Sequence, residues 1–380
     1  MGETFPKVRA AVVQAAPVLL DRDATIDKAC SLIGDAADLG ARLIVSPEAF
    51  VPAYLWGLVL GNKVGKRTPA GRRTWARYWA NAVEIPSSAT DALGRAARQA
   101  GAYVAMGVIE RDAAFSYGTL YCTLIYFGSD GKLLAVHRKL KPTAAERLIW
   151  GEGDGSTLPV LGTEMGRLGG LICWENYMPL ARMAMYAQGV ELYVTPTADS
   201  RDSWQATIRH IACEGRCFVL SSCQYVNKAM YPLDLEVREE LEDMPDILSR
   251  GGSAIVGPLG EYLAGPMWDR EGILTADLDL GLTIEGKYDF DVTGHYARND
   301  VFRLVVNRAP ASPVQFTHDV GSFVADPRMP THIGGDEVSG AAGRAGLISM
   351  ATPGQFTKRP GTQTPVDALV AEKEATEQPG

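Results

Sequence analysis

Short apolar runs alternate along the chain with segments whose apolar residues recur at helical spacing. The short runs predict strands, and they comprise Val8 to Gln14, Ala41 to Val45, Tyr103 to Glu110, Leu168 to Cys173, Glu191 to Thr195, Phe218 to Gln224, Ser253 to Val256 and Ile273 to Asp277. The segments with helical spacing comprise Ala24 to Leu39, Thr68 to Trp79, Ser88 to Ala100, Leu180 to Tyr186 and Trp204 to Gly215. This alternation predicts a layered α/β domain, although periodicity does not reveal how the sheets stack.

Residues at the predicted helix ends support these assignments. Asp23 is expected to cap the first helix, because its carboxylate can accept a hydrogen bond from an unpaired backbone N–H group. Either Ser87 or Ser88 is expected to cap the third helix, and Gly101 to terminate it.

Two segments depart from the alternation. Residues 227–250 include an acidic stretch at helical spacing, residues 235–243, which is expected to be a solvated face or an inter-subunit contact. From Arg308 onward the composition changes to Gly, Pro, Ser, Thr and Ala with few large apolar residues. We therefore divide the chain into a folded domain, residues 1–308, and a flexible or extended C-terminal tail, residues 309–380.

The composition is that of a globular protein. The 380 residues are 46% hydrophobic, which is enough for a large core, and the length alone allows one to three domains. A net charge of -8 argues against binding to nucleic acid or to anionic membrane surfaces. The N-terminus has no recognisable signal peptide, no apolar run is long enough to span a bilayer, and the six cysteines show no disulfide framework. We expect a cytoplasmic protein.

Three reactive side chains each follow a predicted strand. Cys173 ends an apolar run at a strand-to-helix corner, and Glu48 lies just beyond the strand at 41–45. Lys139 ends the second strand of a hairpin that spans residues 121–138. Considered one at a time, Cys173 is most simply interpreted as a core thiol, Glu48 as a solvated loop carboxylate and Lys139 as a surface lysine. Their shared position at strand ends instead favours a thiol nucleophile with acid–base partners.

These segments resemble the Glu, Lys and Cys signatures of the carbon–nitrogen hydrolase superfamily. Cys-Trp-Glu at 173–175 is similar to the nitrilase branch, and Asn176 to its plant-type and some bacterial members. The resemblance covers roughly residues 7 to 308 and includes residues 137–143, 196–201 and 291–298. Two residues depart from it, namely Leu55 in the loop after Glu48 and Asn299 where the family often has proline.

The resemblance implies a four-layer αββα sandwich that pairs into an eight-layer αββα–ββαα dimer. It also implies a homo-oligomer that extends into larger assemblies or helical filaments. No metal or organic cofactor is required. His210, Cys213 and Cys217 are residue types that bind zinc, but a fourth ligand at the usual spacing is missing, so we expect packed core thiols.

The resemblance also implies a mechanism. Cys173 would attack a nitrile carbon to form a thioimidate, Glu48 would be the general base, and Lys139 would stabilise the developing negative charge. Glu146 matches a second glutamate of the family, which holds the lysine in place. Alternatively, Glu146 is a helix-surface residue paired with Arg147. The products would be a carboxylic acid and ammonia. An amidase, an enzyme that stops at the amide, and an inactive oligomeric scaffold are the alternatives.

The residues that contact the substrate are the least defined part of the site. Aromatic residues expected near the pocket mouth are Tyr54, Trp56, Trp174 and Trp204. They can stack on an aryl or arylalkyl nitrile or simply pack together, and an aliphatic or cyanoalanine-like nitrile is also possible. Thr197, in a segment that resembles the family, is a further candidate. Asp199 and Arg201 can contact a zwitterionic substrate or pair with each other.

Overall fold

The computed structural model describes residues 4–311, which form two β-sheets flanked by helices. The strands are β1 (Lys7–Gln14), β2 (Leu43–Val45), β3 (Tyr103–Arg111), β4 (Leu120–Phe127), β5 (Leu133–Arg138), β6 (Val160–Thr163), β7 (Gly166–Gly170), β8 (Leu192–Val194), β9 (Phe218–Ser221), β10 (Tyr225–Asn227), β11 (Ile247–Val256), β12 (Tyr262–Trp268) and β13 (Gly272–Asp279). The α-helices are α1 (Arg22–Asp38), α2 (Pro69–Ala80), α3 (Ser88–Ala100), α4 (Pro179–Tyr186), α5 (Asp202–Gly215) and α6 (Gly281–Lys287).

Each sheet has a parallel centre and antiparallel edges. The first sheet has the order β13-β1-β2-β3-β4-β5, and the second has the order β10-β11-β9-β8-β7-β6 with β12 paired to β11. Strands β1, β2 and β3 are mutually parallel, as are β7, β8 and β9. Glu48 follows β2 and Cys173 follows β7. Both therefore lie beyond the carboxyl ends of central parallel strands, where α/β proteins commonly bind ligands.

Three apolar clusters show how the layers stack. One lies between the two sheets and joins Val12 and Val45 to Leu168 and Leu220. Another packs α1 and α3 on the first sheet, and the last packs α4 and α5 on the second. The resulting order is helices, sheet, sheet, helices. The predicted four-layer αββα sandwich is confirmed.

Most element boundaries agree with the sequence pattern to within a few residues, but β11 begins at Ile247, six residues before the strand expected at 253–256. Three further differences concern the ends of elements. The N-cap of α1 is Asp21 rather than Asp23, and its carboxylate accepts a hydrogen bond from the Ala24 backbone N–H group at 3.0 Å. The strand expected at 168–173 ends at Gly170, because the chain turns before Cys173. The run predicted as one strand over 218–224 is interrupted after β9, and β10 begins only at Tyr225. Ser87 caps α3, and Gly101 terminates it with a φ of +56°.

The acidic stretch at 235–243 is not a solvated helical face. It contains only a short 3-10 helix, Arg238–Leu241. Its apolar side chains are buried, namely Leu235, Val237 and Leu241. The Glu240 carboxylate accepts hydrogen bonds from the successive backbone N–H groups of residues 59–61, at 2.5 to 3.2 Å. The stretch thus fastens the loop that follows Glu48.

The predicted C-terminal tail begins at residue 309, and from residue 312 onward it lies outside the described residues. The last described part, residues 289–311, has no regular secondary structure. The Ala311 backbone N–H group donates a hydrogen bond to Asp154 at 2.7 Å, so the chain returns to the sandwich there. No helix within residues 4–311 is both long and apolar enough to cross a bilayer.

The three residues of zinc-binding type on and after α5 differ in burial. Cys217 is buried in the core, as expected, but Cys213 is only partly buried. The exposed His210 lies 3.6 Å from Glu214. Among residues 4–311, no three His, Cys, Asp or Glu side chains are grouped as metal ligands.

Candidate active site

A tight backbone crossing positions Glu48. After β2 the chain stays on the first sheet, and the Ser46 backbone N–H group donates to the Ala105 carbonyl at 2.9 Å. The loop then crosses β3 at Gly107, where an added Cβ atom would lie 2.1 Å from the Pro47 carbonyl oxygen. Since no real Cβ contact is that short, Gly107 permits the approach that directs the Glu48 side chain inward.

Replacing Gly107 by alanine is expected to displace the Glu48 loop. Overpacking of this kind costs about 1–3 kcal/mol of stability, and we expect catalytic activity to fall more than tenfold. Thermal unfolding and steady-state rates measure the two effects. Gly162→Ala is the matched control, because nothing lies within 4 Å of its Cβ position. Equal behaviour of the two variants would contradict this account.

Lys139 joins two carboxylates in the interior. Its backbone N–H group donates to the Cys122 carbonyl at 2.8 Å, which fixes it at the end of β5. The Nζ atom donates to Glu48 Oε1 at 2.6 Å and to Glu146 Oε2 at 2.8 Å. Both Lys139 and Glu48 are buried. A buried ammonium held by two carboxylates has a fixed position and a fixed charge.

Glu146 is oriented by its own turn. It lies in the 3-10 helix Ala144–Leu148, where Oε2 also accepts the Thr143 backbone N–H group at 2.6 Å. Its Oε1 accepts the Tyr54 hydroxyl at 2.7 Å. The alternative of a surface glutamate paired with Arg147 does not hold, because Glu146 is buried and Arg147 donates to the Pro142 carbonyl.

Cys173 occupies a strained corner. It begins a short 3-10 helix, Cys173–Tyr177, with a φ of +51°. Its backbone N–H group donates to the Pro196 carbonyl at 2.8 Å, and the Thr197 hydroxyl donates to its Sγ atom at 3.2 Å. Left-handed backbone costs a non-glycine residue about 1–2 kcal/mol, and it persists where surrounding contacts enforce it. Thr197 thus contacts the thiol directly.

Asn176 holds the corner together, a role that the sequence did not show. Its side-chain amide donates to the carbonyls of Leu171 and Cys173 at 3.0 and 2.8 Å, and to the Thr195 hydroxyl at 2.8 Å. Its Oδ1 atom accepts the Tyr193 hydroxyl at 2.8 Å. The buried amide therefore satisfies the polar groups of the turn that presents the thiol.

Burial and charge determine the protonation states. Burial raises the pKa of Glu48, and the Lys139 charge opposes this only in part. Burial disfavours the charged form of Lys139, but the anions around it, Glu48 first, raise its pKa well above the usual lysine range. Burial also raises the pKa of the Cys173 thiol, and the charge on Glu48 adds to this. The resting site thus contains a neutral thiol, an ammonium and a basic carboxylate.

One carboxylate oxygen is available for proton transfer. Glu48 Oε1 is paired with Lys139, whereas the buried Oε2 accepts no hydrogen bond from the described residues. The Cys173 thiol lies near Glu48, whose charge helps to raise the pKa of that thiol. A buried base with a free oxygen beside a thiol can remove the thiol proton during nucleophilic attack.

Two cavities share lining residues near the thiol, and Cys173 lines the first of them. The first measures about 200 Å³ and is lined by Tyr54, Trp56, Thr143, Glu146, Cys173, Trp174, Ala198, Asp199, Ser200 and Arg201. The second measures about 300 Å³ and lies between the loop at 54–59 and the turn at 145–150. Tyr54, Trp56 and Glu146 line both cavities. The first is large enough for a small organic substrate, and the second adds an apolar extension.

Asp199 and Arg201 pair with each other, which is one of the two possibilities that the sequence left open, and both also line the first cavity. The guanidinium donates to both Asp199 oxygens, at 2.8 and 2.6 Å. The Trp174 indole N–H group donates to Asp199 Oδ2 at 2.8 Å, and the guanidinium lies 5.0 Å from the Trp174 ring centroid. These contacts hold the partly exposed Trp174 as a wall of the first cavity.

Trp204 is not at the pocket mouth. It is fully buried between α5 and the second sheet, and its indole N–H group donates to the Ser221 hydroxyl at 2.9 Å. An aromatic residue on the apolar face of a helix normally packs in the core, and Trp204 does so. Of the other predicted contact residues, Tyr54, Trp56 and Trp174 line the first cavity.

Comparisons with known proteins agree with this geometry. Residues 9–288 match the carbon–nitrogen hydrolase family. The chain is 55% identical to the aliphatic nitrilase of Sinorhizobium fredii, over 81% of this chain and 98% of that protein. It is 49% identical to the bifunctional nitrilase/nitrile hydratase NIT4B of Nicotiana tabacum, over 86% and 94%. A crystal structure of a carbon–nitrogen hydrolase from Helicobacter pylori aligns with a TM-score of 0.61 at 21% identity, covering 78% of this chain and 97% of that one.

Proposed function

Since the chain belongs to the nitrilase branch of the carbon–nitrogen hydrolase family, we propose that it hydrolyses organic nitriles to carboxylic acids and ammonia through Cys173. The observation that carries this proposal is the buried group of four side chains: the Cys173 thiol near Glu48, and Lys139 bonded to Glu48 and Glu146. This arrangement offers a nucleophile, a base and a fixed positive charge to one substrate atom.

The first half of the reaction makes a thioimidate. The thiol proton passes to Glu48 as the sulfur attacks the nitrile carbon, one π bond of the nitrile breaks, and negative charge develops on nitrogen. Lys139 stabilises that charge, and the proton held by Glu48 passes to nitrogen, which completes the thioimidate and returns Glu48 to its ionised form. A positive charge that is already in place requires no reorganisation at the transition state. Glu146 and Tyr54 contribute by holding the ammonium in position.

The second half consumes two water molecules. Glu48 removes a proton from the first water as that water attacks the thioimidate carbon. This proton and the proton of the added hydroxyl group both pass to nitrogen, and cleavage of the C–N bond releases ammonia and leaves a thioester. The second water attacks the thioester, and cleavage of the C–S bond releases the acid and restores the thiol. If the C–S bond breaks in the first tetrahedral species, the product is an amide. The tobacco relative is a bifunctional nitrilase/nitrile hydratase by name, which favours the amide as a second product here.

Ammonia release from purified protein tests this function. Aliphatic, aryl and arylacetonitrile substrates are compared with their matched amides. Ammonia and acid from nitriles are expected, and the substrate ranking reports what the first cavity accepts. We propose that Tyr54, Trp56 and Trp174 favour flat apolar groups, because aromatic rings stack on them. Turnover of amides alone would instead indicate an amidase, and turnover of neither would indicate an inactive scaffold.

The acidic limb of the pH profile is expected to depend on Cys122. Burial raises the pKa of Glu48, and Glu48 must be ionised to act as base, so kcat/KM should fall as the pH drops through that raised pKa. The Cys122 thiol donates to Glu48 Oε1 at 3.6 Å and stabilises the ionised form. Cys122→Ala should therefore move the limb toward higher pH by up to about one unit. A limb that moves equally in the control Cys217→Ala, a core thiol, would contradict this.

Assembly and cellular location are further parts of the proposal. We propose the eight-layer dimer and its extension into larger homo-oligomers or filaments. Exposed large apolar side chains on and after α6 support this, namely Leu282, Ile284, Tyr288 and Phe302. We also propose a cytoplasmic location, because all six cysteines are free and the reaction needs a reduced thiol. Light scattering as a function of protein concentration tests the assembly.

A further inference from the structure

One buried carboxylate contacts both of the segments that carry the reactive groups. Glu175 is almost completely buried. Its Oε2 atom accepts the Ile172 backbone N–H group at 2.6 Å, and its Oε1 atom accepts the Leu140 backbone N–H group at 2.6 Å. Ile172 precedes Cys173, and Leu140 follows Lys139. The carboxylate therefore connects the two chain positions next to the nucleophile and the ammonium.

These two positions belong to different sheets. Lys139 extends from β5 in the first sheet, and Cys173 follows β7 in the second. The distance between thiol and ammonium therefore depends on how the sheets are held together at this point. Glu175 provides a short hydrogen-bonded link there, and its charge strengthens each of the bonds that it accepts.

His137 completes the link. Its Nδ1 atom contacts the Thr157 carbonyl, and its Nε2 atom lies 2.9 Å from Glu175 Oε2. A carbonyl and a carboxylate both accept, so both ring nitrogens must donate, and the fully buried ring is an imidazolium. Burial disfavours the charged ring, but Glu175 and Thr157 raise the pKa of His137 above its ordinary value.

We propose that Glu175 and His137 form a clamp that sets the distance between Lys139 and Cys173 and thereby controls whether the acid or the amide is released. The clamp residues do not touch the reacting atoms, so Glu175 and His137 are positioning residues. This proposal rests on the proposed nitrile hydrolysis.

The product depends on geometry because one tetrahedral species has two possible leaving groups. Ammonia leaves when nitrogen is protonated and the thiol stays in line with Glu48, whereas the thiol leaves when sulfur receives the proton. A displacement of about 1 Å is enough to change such steps by about a hundredfold. Weakening the clamp should therefore alter the ratio of products as well as the rate.

The test compares Glu175→Gln with Glu110→Gln. Glu110 is also a buried carboxylate, and its partners lie on the β4–β5 hairpin that ends at Lys139. It accepts hydrogen bonds from the Thr123 hydroxyl at 2.8 Å and from two nitrogens of Arg138 at 2.9 and 2.5 Å. It has no hydrogen bond to the Cys173 segment. We expect Glu175→Gln to lower kcat at least tenfold, to change KM less than threefold and to raise the amide fraction severalfold. Glu110→Gln should leave the amide fraction unchanged. An unchanged fraction in Glu175→Gln, or equal changes in both variants, would overturn the proposal.

A second measurement separates the clamp from the nitrile chemistry. The rate at which iodoacetamide alkylates Cys173 is followed by mass spectrometry of the peptide that contains it. We expect this rate to fall at least tenfold in Glu175→Gln and in His137→Gln, and to remain within twofold of wild type in Glu110→Gln. If the wild-type protein fails to hydrolyse nitriles, the proposed function fails, but this rate still decides for or against the clamp. Equal alkylation rates in all variants would overturn it.

Discussion

Replacement of Cys173 by alanine is expected to abolish ammonia release from nitriles, with kcat reduced by about 10⁴-fold or more. The reason is that a nitrile carbon is a weak electrophile that needs a soft nucleophile, and the thiol lies near Glu48, a buried base. Alanine leaves Glu48, Lys139 and Glu146 in place, so the loss measures the thiol itself. Ammonia assays at saturating nitrile provide the measurement.

Two controls accompany the Cys173→Ala variant. Cys223→Ala removes another buried thiol of the second sheet region, and its activity should stay close to wild type. Cys173→Ser retains the size of the side chain but has a poorer nucleophile, and it should also lose most of the activity. If Cys173→Ala retained more than a few per cent of the wild-type rate, the thiol would not be the nucleophile.

Replacement of Lys139 by methionine is expected to remove activity and to destabilise the fold. Without the ammonium, Glu48 and Glu146 face each other with no positive charge between them. Removal of one partner from a buried ion pair typically costs about 3–5 kcal/mol. Loss of the charge that stabilises the transition state should lower kcat by about 10³-fold. Chemical denaturation and steady-state kinetics measure the two effects.

The stability loss in Lys139→Met should depend on pH. Without Lys139 the folded pKa of Glu48 rises further above its unfolded value, because burial and the charge on Glu146 disfavour its ionisation. The folded state then binds protons more tightly than the unfolded state, so the deficit should shrink as the pH falls. Lys141→Met is the control, since Lys141 is about half exposed and pairs with Glu152 at the surface. A similar cost in both variants would contradict the account.

Much of the fold could be predicted from the sequence, because its strands and helices have clear periodicities. The sandwich of four layers followed from the family resemblance rather than from those periodicities. The strand before Cys173 was predicted three residues too long, since an apolar run cannot reveal a positive φ. The cap of α1 was predicted at Asp23 but is Asp21, because two acidic residues lie close together in the sequence and only the backbone geometry selects between them.

The candidate site was predicted in part. Glu48, Lys139 and Cys173 were chosen because each follows a strand, and the structure places them together, while their catalytic roles remain predictions. The prediction that Trp204 lies near the pocket mouth was wrong, because it rested on the aromatic side chain and not on its place on the apolar face of α5, which favours the core. The backbone groups that Glu240 binds lie some 180 residues away along the chain. The acidic residues next to Glu240 in the sequence therefore predicted a solvent-exposed segment and gave no sign of this contact.

Glu175 shows the limit of sequence reasoning most clearly. In the sequence it is the third residue of the Cys-Trp-Glu motif, and no role for its side chain is evident there. In the fold its carboxylate reaches Leu140, which lies 35 residues away and extends from the other sheet. Such contacts depend on how the layers are stacked, which periodicity does not report.

The most direct test of the central claim is mass spectrometry of protein quenched with acid during turnover of a slowly hydrolysed nitrile. We expect wild-type protein to carry the mass of the acyl group on the peptide that contains Cys173, and Cys173→Ala to carry none. The account would be contradicted by the same mass gain on another residue while Cys173 stays unmodified, or by nitrile hydrolysis at the wild-type rate in Cys173→Ala.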